Sequence, residues 1–142
     1  MSLANVLQAL RAAPLAESDQ VRLEVFMPCT HIDSDYWVRA CATLVSRVAG
    51  GCTVSYSAQV CWVDRQGKLV SEPVTVVWAY VSLDRLLTKR DLGNEFAAAS
   101  GTAVPAIALR KLLVQYGRET EQEVVAFGID NVIYGFNPKE TL

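Results

Sequence analysis

A chain of 142 residues with 13 Lys and Arg against 15 Asp and Glu carries a formal charge of −2, which argues against the basic stripe by which nucleic-acid binders displace counterions. With 51% apolar and 20% charged residues and a mean hydropathy of +0.21, it is too apolar for a disordered chain and long enough to bury a core without staples. No stretch approaches the roughly 20 apolar residues of a membrane helix, so neither nucleic acid nor membrane is an expected partner.

A single α+β domain over 1–142 is expected, with a helical extension over 1–20, a core over 21–136 and an insertion over 83–104. The start, "MSLANVLQALRAAPLAESD", reads as a short amphipathic helix and not as a secretory leader. Its apolar segment is interrupted by Asn5, Gln8 and Arg11, and it lacks a basic opening. The expected setting is therefore cytoplasmic. "VRLEVFM", residues 21–27, sets Val21, Leu23, Val25 and Met27 against Arg22, Glu24 and Phe26, the period of a strand with one well-buried face. From Trp37 the residues Cys41, Leu44, Val45 and Val48 recur at helical spacing, and Gly50 with Gly51 supplies the stop.

"CTVSYSAQVCWV", residues 52–63, alternates Cys52, Val54, Tyr56, Ala58, Val60 and Trp62 with Thr53, Ser55, Ser57, Gln59 and Cys61, which is again a strand. The turn "DRQG" returns it antiparallel into "KLVSEPVTVVWAYVS", where Pro73 suits an edge or a bulge. Ser82 caps a helical turn through "LDRLLTKR", and "DLGNEFAAASGTAV" reads as a loose connection. A second main helix is predicted from Pro105 to Tyr116, ended by Gly117. "VVAFGI" follows as a strand, and Asp130 with Asn131 turns into "VIYGF", a further strand or a kinked continuation.

Strand, helix, hairpin, helix, strand is the order of a ferredoxin-like sandwich: a four- to five-stranded antiparallel sheet with two main helices on one face, here with a short N-terminal helix added. The segments "GCTVSYSAQVCWVDRQGKLVSEP" and "YGRETEQEVVAFGIDNVIYGF" resemble an uncharacterised bacterial domain family. Its marks are a Trp-x-Asp-x-x-Gly hairpin turn followed by Glu, and a helix that ends shortly before Gln-Glu and the final strand. The resemblance covers about residues 21–136, departs over 83–104, rests on turn residues and implies no activity.

The four cysteines, at 29, 41, 52 and 61, lack the two-residue spacings of zinc or redox sites and read as small core hydrophobes. Cys52 and Cys61 would point to opposite faces of a strand without a bulge. Neither a metal nor a cofactor is expected. The single histidine lies in "MPCTHIDSDYW", where Cys29 and His31 project to one side of an extended segment and Asp33 is near enough to orient the imidazole. The same residues also serve as the polar start of a helix, with Asp33 or Ser34 as its cap.

Parity places Phe26, Val74, Val76, Trp78 and Tyr80 on the second face of the sheet with Arg22, Glu24, Thr53, Ser55, Ser57 and Gln59. "VVWAYV" is apolar at every position, whereas an antiparallel face left in water alternates, so this face is expected to be covered. The reading is a small self-associating domain, a homodimer joined through its sheet. Phe26, Ser55, Ser57, Trp78 and Tyr80 would border a small apolar or aromatic ligand. The alternative is a small enzyme acting through Cys29 and His31, with Asp33.

Overall fold

The computed structural model describes residues 2–11, 20–28, 33–96 and 101–139, the side chain of Ser57 excepted. In chain order these form α1 (Leu3–Leu10), β1 (Gln20–Pro28), α2 (Ser34–Ala49), β2 (Thr53–Val63), β3 (Leu69–Ser82) and α3 (Leu83–Leu87). There follow β4 (Arg90–Asp91), β5 (Thr102–Ala103), α4 (Pro105–Glu119), β6 (Val125–Ile129) and β7 (Val132–Phe136).

One antiparallel sheet of five strands runs in the order β2-β3-β1-β6-β7. With β7 set aside, the first strand lies between the third and the last, which is the ferredoxin-like arrangement expected from the sequence. The residues "VIYGF" form a true fifth strand. They are reached through a two-residue turn in which Asp130 (φ 51) and Asn131 (φ 70) are both left-handed, the geometry that matches hairpin twist.

The sheet has one covered face because β1 alternates. Leu23, Val25 and Met27 are buried against the helices, and Arg22, Glu24 and Phe26 are half-buried on the other side. Trp37, Val38, Cys41, Leu44, Val45 and Val48 of α2 complete the core, and Gly50 (φ 88) ends that helix. Burial of each large aliphatic here contributes roughly 1.5–3 kcal/mol before chain entropy is counted. Trp37 meets Tyr116 of α4 edge-on, with ring centroids 5.9 Å apart, and so ties the two helices together.

Four expectations are corrected. Helix α4 does not end at Tyr116 but runs on to Glu119. Gly117 sits inside its last turn because a Cβ there would lie 2.7 Å from both Pro138 Cγ and Val125 Cγ2, so close packing, not helix termination, accounts for this glycine. The stretch after α3 is not a loose connection: β4 pairs with β5, Leu92 is fully buried, and Leu92 N donates to Gly101 O at 2.7 Å. Arg47 of α2 donates to Leu92 O at 2.7 Å and pairs with Glu95, which holds this part of the insertion on the helix side. Residues 97–100 lie outside the described set.

A hairpin loop of two or four residues is expected to set Val54 opposite Ala79 or a near neighbour, and the register places it opposite Val77. More consequentially, β2 has a bulge. Ser55 pairs with Val76 but Ala58 with Val74, so one extra residue is accommodated and every later side chain changes face. Ala58, Val60 and Trp62 therefore join the side of Val74, Val76 and Trp78, while Gln59 leaves it. Cys52 and Cys61 end on the same side of the sheet, not on opposite ones.

Two local expectations hold in position. Pro73 stands one residue beyond the last β1–β3 pair, Pro28 with Val74, where that ladder has ended. Asp64 organises the hairpin turn by accepting from Gln66 N and Lys68 N at 2.9 Å each, before Gly67 (φ 78). Helix α1 is capped by Ser2, whose hydroxyl accepts from Asn5 N at 3.2 Å, and buries none of its residues.

Candidate functional site

The second sheet face is built by the alternate residues of β1 and β3. Arg22 lies opposite Tyr80, Glu24 opposite Trp78, Phe26 opposite Val76 and Pro28 opposite Val74. Ser55 flanks Val76 from β2. The face thus brings together Phe26, Ser55, Trp78 and Tyr80 as predicted. Ser57 falls within the bulge, and its side chain is outside the described set.

The guanidinium of Arg22 sits 3.9 Å from the Trp78 ring centroid, and Trp78 meets Tyr80 edge-on at 5.9 Å with the rings at 88°. Arg22 Nε lies 3.4 Å from Glu24 Oε1 without forming a hydrogen bond, so the pair is a charge contact. Cation–ring contacts of this kind contribute about 0.5–2 kcal/mol, more as water is removed. A planar cation held against an indole makes a flat patch suited to recognition of a flat or apolar surface.

The bulge extends this face in a direction the sequence did not indicate. Trp62 at 44% exposure, Val60 at 42% and Tyr80 at 47% now share one side with half-buried Trp78 and Val76. On the far side of the sheet, β6 and β7 offer only Ala126, Gly128 and Gly135 with Ile133, so the surface there is shallow. Helices α2, α3 and α4 all pack on the opposite face.

Of the alternative site, Cys29 and His31 lie outside the described residues. Asp33 is exposed at the N-cap position of α2, where its carboxylate does not cap the helix through a hydrogen bond. No group of three His, Cys, Asp or Glu among the described residues is placed to hold a metal. Cys41, Cys52 and Cys61 are free thiols, and burial pushes the Cys41 thiol up from 9.0 to about 12, with Cys52 adding to the effect.

A second feature escaped the sequence reading. On the helix side, a groove of about 310 Å³ opens between α4 and the β6–β7 hairpin, lined by Leu23, Leu109, Arg110, Leu113, Phe127 and Phe136 among others. The signal was present in the strand sequences. Phe127 and Ile129 alternate with Ala126 and Gly128, and Tyr134 and Phe136 flank Gly135, so all the aromatic side chains of the hairpin fall on one side.

Fold and site together define a ferredoxin-like α+β protein with an aromatic sheet face that none of α2, α3 and α4 covers. No family model matches the chain, and no curated protein matches it. Among solved structures it is similar to a phage SAM lyase in complex with S-methyl-5'-thioadenosine, with a TM-score of 0.50 and 10% identity over 91% of this chain and 98% of that chain. At that identity the likeness is one of fold. No helix among the described residues is long and apolar enough to cross a membrane.

Proposed function

We propose that the protein is a self-associating ferredoxin-like domain, a homodimer joined through its open sheet faces, with Trp78, Tyr80, Phe26, Ser55 and Ser57 bordering whatever small aromatic ligand it holds there. The observation that carries the reading is the apolar band from Trp62 and Val60 to Trp78 and Tyr80, which none of α2, α3 and α4 approaches. The size is right. Five strands at about 4.8 Å, by a nine-residue β1 at about 3.3 Å per residue, present about 700 Å², close to the roughly 800 Å² per partner of a stable interface.

Arg22 and Glu24 stand side by side on this face, which gives a self-associating patch both signs of charge. The bulge in β2 blunts that edge, which favours faces over edges as the joint. Support for the ligand comes from the fold neighbour, whose bound S-methyl-5'-thioadenosine is a small aromatic compound. Among the described residues Cys41, Cys52 and Cys61 are free thiols, which supports a reducing setting, the cytoplasm.

Sedimentation velocity tests the joint. The wild-type chain should run as a dimer, and Val60→Lys or Tyr80→Lys as a folded monomer. A wild-type monomer at every concentration refutes it.

The runner-up is an enzyme acting through Cys29, His31 and Asp33, and its one support is that the fold neighbour is a lyase. Incubation with SAM, followed for release of S-methyl-5'-thioadenosine, checks it against Cys29→Ala and His31→Ala. Equal product from all three chains, or none from any, removes it.

A further inference from the structure

We infer that the groove between α4 and the β6–β7 hairpin is a binding site for a small planar aromatic molecule bearing one negative charge. Its origin lies in the layer geometry. Helices pack about 8–10 Å apart and strands about 4.8 Å apart, so two helices roof about four strands and leave the fifth uncovered. The uncovered strand is β7, and Tyr134 and Phe136 on its helix side are left beside Phe127. The depth of the groove is set by buried core residues, Leu23 at 4% and Leu113 at 2% exposure, so it is rigid and pre-formed. Its volume of about 310 Å³ falls at the lower end of the range for small-molecule clefts.

The walls select the ligand. Phe127 stacks on Tyr134 with centroids 5.6 Å apart and planes at 22°, and Phe136 tilts toward Phe127 at 6.4 Å. A further flat ring entering the groove extends this array in the offset geometry that aromatic faces prefer. Arg110, one turn beyond Ala106 on α4, supplies the charge at the rim and has no ion-pair partner among the described residues. A planar guanidinium on an apolar wall fits a carboxylate or sulfonate in the bidentate manner. The unpacked helix α1 is the obvious rival occupant, but "LANVLQAL" contains no acid and would leave Arg110 unanswered.

The probe for the test is 8-anilinonaphthalene-1-sulfonate, with its uncharged analogue N-phenyl-1-naphthylamine as control, titrated by fluorescence into the full chain. One sulfonate should bind per chain. Arg110→Ala should weaken the sulfonate about tenfold or more and leave the neutral analogue unchanged, the difference expected for one charge-assisted contact. Ala106→Phe, which fills the groove, should abolish both, and Val63→Ser at the exposed tip of the β2–β3 hairpin should change neither. The inference is overturned if Arg110→Ala weakens both probes equally. It is also overturned if Val63→Ser abolishes binding, or if binding appears only after residues 1–11 are removed, which would place α1 in the groove. Should Ala106→Phe fail to fold, the ratio of the two probes in Arg110→Ala decides alone.

Discussion

Cys41 shows how a single side chain reports on the core. It is fully buried under α2, and burial, with Cys52 nearby, moves its thiol from 9.0 to about 12. A raised thiol value means that the unfolded chain loses this proton first. The site's full contribution is therefore present below about pH 9 and is lost as the pH rises toward about 12, at up to about 1.4 kcal/mol per unit. Urea unfolding at about pH 8 and about pH 10 should show wild type losing more stability between the two than Cys41→Ala; equal losses would remove the coupling. This residue was legible in the sequence as an apolar-face cysteine of a helix. The second cysteine pair was not, because the relative facing of Cys52 and Cys61 depends on whether the strand between them is regular. Gly117 was legible as a special position but for the wrong reason. A glycine near a helix end suggests termination, and only the tertiary neighbours Val125 and Pro138 identify close packing as the cause.

Among the elements, β1, α2, the hairpin, α4 and β6 were readable from periodicity, and their order fixed the topology. The bulge was not readable, since residues 52–63 alternate without a flaw. The physical reason lies in the outer half of the hairpin, where Gln59, Cys61 and Ser71 on the helix side are all exposed and bond to one another. Neither face is core there, so the pattern has nothing to anchor to. The same holds for α1, whose amphipathic stripe predicts a helix but not a docking place. Leu3 at 73% and Leu10 at 69% exposure leave it contributing little. Removal of residues 1–11 should change the unfolding free energy by less than about 0.5 kcal/mol, measured by urea titration, and a larger loss would mean that the helix is docked in solution.

The described residues combine one face packed under α2, α3 and α4 with one apolar face that none of these helices covers. The apolar character of the second face was legible in "VVWAYV", which reads as a face in need of a cover, while the groove was missed because its existence depends on the ratio of two helices to five strands, a property no local window contains. If the open face joins two copies, mass action ties folding to association. The melting temperature should then rise with protein concentration for the wild-type chain and stay flat for Val60→Lys, and equal behaviour of the two would argue for an independent monomer. The extra residue in β2 gives the outer hairpin a different kind of sensitivity. Loss of one residue near 56–57 would remove the bulge and leave Ala58, Val60 and Trp62 opposite Val74, Glu72 and Val70 on their present side, whereas loss of one residue beyond Ala58 would invert the strand from that point on. For this chain, then, a lone in-frame deletion is absorbed at 56–57 and becomes an all-or-none exchange of surface chemistry only where it falls farther out along the strand.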